Sequence, residues 1–120
     1  MYVIEFAPPM SGLDGSFNTV RLGGTWAKRL QQGEKILLMD KPKSSIFATA
    51  IVEGVIVGKL RDVAASHAAF NHNQKGTDAE GAPERLMTAM KKRYGPHKVN
   101  DNSRVTAIYL RVIDEKDYLP

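Results

Sequence analysis

The chain has 120 residues, of which 42% are hydrophobic and 25% are charged, and its formal net charge is +4 at pH 7. This length and composition fit one soluble globular domain and exclude a second domain and a membrane-spanning helix. The absence of cysteine excludes disulfides, thiol catalysis and cysteine-based zinc sites. The positive charge favours association with phosphate-bearing partners.

The first predicted elements belong to an N-terminal strand and loop over residues 1–15. Residues 2–6 alternate in a way that predicts a short strand, and residues 7–15 contain the prolines and glycines of a loop. We treat residues 1–120 as a single domain that begins with this segment. Because the start lacks a basic and then apolar secretory signal, we expect a cytoplasmic protein.

The next strand is the one around which we expect a site to form. Residues 17–22 predict a strand, in which alternate side chains share a face. Thr19 and Arg21 therefore point the same way and offer a hydroxyl and a guanidinium together. Gly23 and Gly24 follow, where the backbone can turn sharply or approach a ligand. We predict that this strand lines a small polar cleft, and the alternative is an ordinary strand with a solvated arginine.

The middle of the chain predicts a short helix and two further strands. Thr25 is suited to the N-cap of a helix over residues 26–32. Residues 36–40 form an apolar run that predicts a strand, and residues 46–57 predict a long strand rich in Ile and Val. Gly54 interrupts the long strand and indicates a bulge or a bend, which a small closed barrel needs to turn its corners.

The second half predicts two helices and a closing strand. Residues 60–71 place apolar side chains at helical spacing, whereas residues 71–81 have almost none and predict a mobile loop. Pro83 suits the first turn of the next helix. The apolar stripe of that helix consists of Leu86, Met90 and Tyr94. Residues 104–113 alternate strongly and predict the closing strand, and residues 114–120 form an acidic tail.

The predicted order is β, β, α, β, β, α, α, β, which is not the regular alternation of a doubly wound sheet. We therefore predict an α+β domain, in which a small mixed β-barrel has about three helices packed around a cleft. His67 and His72 are five residues apart, not the four of a metal-binding helix pair. We accordingly expect neither a metal nor a cofactor.

His67 lies on the apolar stripe of its helix and has two interpretations. It is either a buried, hydrogen-bonded histidine or a cleft residue. In the second case the helix packs over the barrel mouth, and His67 and Asn71 meet Thr19 and Arg21.

The basic end of the last helix also has two interpretations. Lys91, Lys92 and Arg93 form either a solvated helix end, favourable for the helix dipole, or a phosphate-contacting edge that Lys98 continues. Three aromatic residues are either core residues or platforms on which a base could stack. These aromatic residues are Trp26, Tyr94 and Tyr109.

The assembled pattern resembles the ASCH domains of the PUA-like superfamily over about residues 16–113. The resemblance rests on the long strand 46–57 and on four short stretches. These stretches are Thr19-Val20-Arg21, Gly33-Glu34-Lys35-Ile36, Leu60-Arg61-Asp62-Val63 leading to His67, and Leu86 to Tyr94 followed by Gly95-Pro96. The resemblance implies a small β-barrel with helices around a cleft, and recognition of RNA or of modified bases.

Within that superfamily the pattern is similar to the small bacterial acetylcytidine amidohydrolases. Their motif is Lys-x-x-Thr-x-Arg on the first cleft strand, with an acidic residue one turn after the helix histidine. Thr19 and Arg21 match this motif, but Ser16 stands at the lysine position and Asn71 at the acid position. Since serine and asparagine do not replace a lysine and a carboxylate at neutral pH, the resemblance implies that binding is retained and leaves catalysis uncertain.

We therefore expect a nucleic-acid or modified-nucleotide binding module, with RNA as the expected partner and DNA as an alternative. One alternative function is hydrolysis of an acetylcytidine-type amide or of RNA, and another is a protein-interaction module. The candidate binding residues are Thr19, Arg21, His67, Asn71, Lys91 and Lys98.

Overall fold

A computed structural model describes residues 1–114 of the chain. The strands are β1 (Val3–Phe6), β2 (Ser16–Leu22), β3 (Lys35–Asp40), β4 (Ser45–Lys59) and β5 (Arg104–Ile113). The helices are α1 (Thr25–Arg29), α2 (Leu60–His67) and α3 (Ala82–Tyr94), and two short 3₁₀ helices, Ala68–Phe70 and His72–Gln74, connect α2 to α3. Apart from Asp114, the predicted acidic tail lies outside the described residues.

The strands form one mixed sheet in the order β1-β3-β4-β5-β2, curled into a half-barrel. β1 and β3 are parallel, and the other neighbouring pairs are antiparallel. The register of β4 against β5 shifts between Val52 and Gly54, which confirms the predicted bulge. The α+β class is thus confirmed, although β5 lies inside the sheet between β4 and β2 and not at its edge.

Both faces of the sheet are buried, each against a different apolar cluster. Successive side chains of a strand point to opposite faces. In β2, Val20 therefore packs in the cluster under α2 and α3, whereas Phe17 packs in the cluster inside the half-barrel, with Phe6 of β1. Thr19 and Arg21 share the face of Phe17, as the alternation predicts. These two side chains consequently point toward the inside of the half-barrel.

The helices cover the outer face with the residues that periodicity predicts. α2 buries Leu60, Val63 and Ala64, and α3 buries Leu86 and Met90. In residues 1–114, no helix has the length and apolar character needed to cross a membrane.

Two helices are shorter than predicted, and the reasons are local. α1 ends at Arg29 because Leu30 has extended backbone, and its N-cap position is Gly24, not Thr25. α2 ends at His67 because the chain then turns to meet β2, where Asn71 forms a parallel bridge with Asn18. The side-chain amide of Asn18 donates to the carbonyl of His67 at 2.8 Å and so satisfies one orphan carbonyl at the end of the helix.

Candidate functional site

Arg21 is held in a fixed position on the inner face of β2. Its Nε donates a hydrogen bond of 3.0 Å to Oγ1 of the buried Thr19, and its guanidinium carbon lies 4.8 Å from the centre of the Phe6 ring. Within residues 1–114 Arg21 forms no further hydrogen bond or ion pair. The two terminal nitrogens of the guanidinium therefore remain as donors for solvent or a ligand.

The charge of Arg21 persists despite its surroundings. Burial, the main cause, lowers the pKa of Arg21 to about 10, while the nearby Tyr94 acts to raise it. This pKa is still far above neutrality, so the guanidinium stays protonated at pH 7. Arg21 consequently presents a desolvated positive charge, which attracts an anion or a carbonyl more strongly than a solvated one does.

A small cleft opens where Arg21 meets α3 and the segment that follows α2. Its volume is about 50 Å³. The lining residues are Thr19, Val20, Arg21, Asn71, His72, Asn73, Leu86, Ala89, Met90 and Arg93. The lining therefore combines an apolar wall from α3 with two guanidinium groups and four further polar side chains.

His72 is a cleft residue that the sequence interpretation placed in a mobile loop. Its side chain is buried, and its ring stands edge-on to the rings of Phe6 and Phe17, at 5.4 and 5.8 Å between centres. The Nδ1 atom lies 3.0 Å from the carbonyl oxygen of Ser11 in the N-terminal loop. His72 thus fills the gap between β1 and β2, the two edges of the half-barrel.

The environment of His72 favours the neutral imidazole. Burial, the largest cause, lowers the pKa of His72 to about 4, and the charges of Arg21, Arg93 and Lys75 act in the same direction. The hydrogen bond to Ser11 opposes them without cancelling them. The ring is therefore uncharged at neutral pH.

Arg85 of α3 fixes the segment that follows His72. Its Nε donates to Oε1 of Gln74 at 2.7 Å, its Nη2 donates to Oγ1 of Thr77 at 2.9 Å, and its Nη1 pairs with the carboxylate of Asp78 at 3.0 Å. Nη2 also donates to the carbonyl of Asp78. The predicted loop over 71–81 thus contains a short 3₁₀ helix, His72–Gln74, and is held by polar partners in place of the apolar contacts that the sequence lacks.

The four residues predicted to converge do so only in part. Thr19, Arg21 and Asn71 line the same cleft, but His67 does not. His67 has φ −127° and ψ −9°, which takes it out of helical phase, and its Nδ1 lies 2.6 Å from the hydroxyl of Tyr109. The structure thus corrects the expectation that His67 meets Thr19 and Arg21. The partial burial and hydrogen bond of His67 agree better with the structural interpretation.

Asn71 belongs to the cleft and also to the edge of β2. Its side-chain amide nitrogen lies 3.3 Å from Oδ1 of Asn18, and its Oδ1 accepts a hydrogen bond from the backbone of Asn73 at 3.1 Å. These contacts fix the side chain, which is 3% exposed. Asn71 therefore shapes the cleft wall and leaves little hydrogen-bonding capacity free.

Comparison with known proteins adds a fold relationship. No protein-family model and no curated protein sequence matches the chain. An ASCH domain from Lactobacillus crispatus superimposes with a TM-score of 0.54 at 9% identity, over 84% of this chain and 65% of that chain. This chain has an ASCH-like fold.

Two further solved structures share this fold. The hypothetical protein PH0355 has a TM-score of 0.66 at 13% identity, over 93% of this chain and 98% of that chain. A protein of the DUF984 family from Enterococcus faecalis has a TM-score of 0.57 at 15% identity, over 88% of this chain and 67% of that chain. At these identities the similarity concerns the ASCH-like fold alone, and the amidohydrolase resemblance stays a prediction.

The two lysines predicted to contact a ligand lie outside the cleft of this ASCH-like domain. Nζ of Lys91 forms an ion pair of 2.7 Å with Asp101, beside a separate surface groove. Lys98 is exposed in the loop after α3. Arg93, in the same helical turn as Lys91, is the basic residue that reaches the cleft. Contacts of Lys91 and Lys98 with phosphates remain predictions.

The position that carries a lysine in the amidohydrolase motif is also remote from the cleft. Oγ of Ser16 lies 3.4 Å from Oε1 of Glu53 on the exposed surface. Among the cleft-lining residues none is a carboxylate, a serine or a lysine. Within residues 1–114, no group of three or more His, Asp or Glu side chains is placed to hold a metal ion.

Proposed function

We propose that this ASCH-like domain binds single-stranded RNA or a nucleotide through the cleft, with Arg21 as the principal donor. The observation that carries the proposal is the fixed guanidinium of Arg21, which is charged, partly buried and left with free donors. Holding a guanidinium in this state is costly unless a partner compensates it. A phosphate oxygen or a carbonyl at a base edge would supply that compensation.

The size of the cleft supports a binding site for part of a nucleotide. Its volume is about 50 Å³. Pockets that enclose a small molecule are usually about 300–1,000 Å³. The cleft is therefore suited to an inserted group, such as one edge of a base, and not to a whole acetylcytidine. Together with the absence of a carboxylate and a lysine among the lining residues, this favours binding over amide hydrolysis.

The charge around the cleft supports a nucleic acid as partner. Arg21 and Arg93 lie in the lining, and Lys75 is near enough to act on His72. Such a cluster attracts the phosphate backbone, and the attraction weakens as salt displaces the released counterions. We therefore expect RNA binding that falls between about 50 and 200 mM salt.

The test is fluorescence anisotropy with a labelled single-stranded RNA of mixed sequence, for wild type, Arg21→Ala and Arg29→Ala. Arg21→Ala should weaken binding by roughly tenfold to a hundredfold, the range for a hydrogen bond to a charged group. Arg29→Ala is the matched control, because it removes the same charge from α1, where Arg29 lies over Trp26 outside the cleft. Circular dichroism checks that each variant is folded.

Two outcomes and one parallel titration separate cleft binding of RNA from its alternatives. Equal losses in both variants would show that only net charge matters, and would reject the cleft as the site. A parallel titration with single-stranded DNA tests the preference for RNA. An absence of binding to RNA, DNA and free nucleotides would favour the protein-interaction module.

A further inference from the structure

We propose that the cleft recognises the hydrogen-bonding edge of an unpaired nucleobase, with Arg21 donating and Nε2 of His72 accepting. This inference rests on the proposed function and specifies the ligand group that enters the cleft. Its central feature is a donor and an acceptor in one cleft. A base edge matches that pair, and a fully ionised phosphate does not.

The tautomer of His72 follows from its one hydrogen bond. The carbonyl oxygen of Ser11 lies 3.0 Å from Nδ1, and a carbonyl can only accept. Nδ1 therefore carries the proton, and in a neutral imidazole Nε2 must then hold a lone pair. The low pKa of His72, about 4, agrees with a neutral ring.

The lone pair of Nε2 is available to a ligand. Among the described residues, no fully buried side-chain nitrogen or oxygen lacks a hydrogen-bond partner, and Nε2 of His72 has none there. Nε2 must therefore retain access to solvent, although His72 is only 8% exposed. Since His72 lines the cleft, we assign that access to the cleft.

Arg21 and His72 both lie against Phe6. The guanidinium carbon of Arg21 lies 4.8 Å from the centre of the Phe6 ring, and the ring of His72 lies 5.4 Å from the same centre. Both residues line the same small cleft. A ligand group that enters the cleft would therefore meet both a donor and an acceptor.

This pairing selects between ligand groups. The Watson–Crick edge of uracil has a carbonyl oxygen beside an N–H, so the carbonyl accepts from Arg21 and the N–H donates to His72. A phosphate without a proton offers only acceptors, and the lone pair of Nε2 would repel them. We therefore assign the phosphate backbone to Arg93, the other guanidinium of the cleft lining.

The experiment compares two RNAs that differ by one methyl group per base. Oligouridylate and an oligomer of 3-methyluridylate of the same length have the same charge and backbone, but the second lacks the N–H donor. Wild-type protein should bind the methylated oligomer at least roughly tenfold more weakly, because the buried acceptor is then left unpaired. Inorganic phosphate should not displace oligouridylate at equal ionic strength.

A protein variant tests the same hydrogen bond by removing its acceptor. His72→Phe retains an aromatic ring between Phe6 and Phe17 but has no Nε2. It should bind the two oligomers with nearly equal affinity. If this variant does not fold, the difference in affinity of wild-type protein for the two oligomers is the test of base-edge recognition.

The outcomes distinguish this inference from the proposed function. Equal binding of both oligomers by wild type, with binding still weakened by Arg21→Ala, would overturn base-edge recognition and leave RNA binding standing. Displacement of oligouridylate by inorganic phosphate would overturn it as well. Failure of wild type to bind either oligomer or mixed-sequence RNA would overturn the proposed function itself.

Discussion

The neutral, buried state of His72 predicts a specific loss of stability in weak acid. In the unfolded chain this imidazole takes up a proton near its ordinary pKa of 6.5, whereas in the folded chain its pKa is lowered to about 4. Between these values the unfolded state binds more protons, so the free energy of unfolding decreases as the pH falls. At about 1.4 kcal/mol per pH unit, the full effect is roughly 3 kcal/mol, of which about 1.4 kcal/mol is already lost at pH 5.5.

This loss is large against the roughly 5–15 kcal/mol that usually stabilises a domain. The contribution of the Asp78 carboxylate to stability does not change in the pH range where His72 is measured. Its pKa is lowered by the backbone N–H of Gly81 and by Arg85, so its contribution is present above its ordinary value of 3.8 and is lost only as the pH falls below that value. The range from pH 7.5 to 4.5 therefore reports mainly on His72.

The assay is urea denaturation at half-unit steps from pH 7.5 to 4.5, for wild type, His72→Phe and His97→Asn. Wild type should lose stability below pH 6.5, His72→Phe should show a much flatter dependence, and His97→Asn, which changes an exposed loop residue, should follow wild type. An equally steep dependence in His72→Phe would refute the reasoning, because the protons would then be taken up elsewhere.

Two further predictions concern the segments that hold the cleft. Gly12→Ala should cost at least about 1–3 kcal/mol of stability in urea denaturation beyond Gly15→Ala. Both glycines have positive φ, +67° and +62°, but only at Gly12 would a Cβ lie 1.9 Å from the carbonyl oxygen of His72, so equal costs would contradict this close contact. Arg85→Ala should speed amide hydrogen exchange over residues 74–78 by roughly tenfold, since about 1.4 kcal/mol of local hydrogen bonding is removed. Unchanged exchange would show that the arginine does not hold this segment.

Local patterns of the sequence predicted most of the fold. The alternation of residues 104–113 corresponds to a strand, and the four-residue spacing of Leu86 and Met90 to a helix that buries both residues. The placement of Thr19 and Arg21 on one face likewise follows from the geometry of a single strand. Each of these features depends on neighbours within a few residues, which a single sequence contains.

Features that depend on distant partners were not predictable in the same way. His72 lies in a polar stretch, and nothing near it in the sequence indicates that Phe6, Phe17 and the carbonyl of Ser11 would enclose it. His67 had the correct helical spacing, but its helix ended at that residue. The choice of Arg93 over Lys91 depends on how α3 lies against β2, which periodicity does not specify.

The stretch that contributes Asn71 to the cleft has a second consequence for the molecule. Among the strands of residues 1–114, β2 is the last in the sheet and pairs with β5 on one side, so its other side is an open edge. Such an edge can recruit strands from other molecules and start aggregation. The bridge between Asn18 and Asn71 occupies part of that edge. A residue that shapes the cleft thereby also covers part of an edge at which another strand could pair.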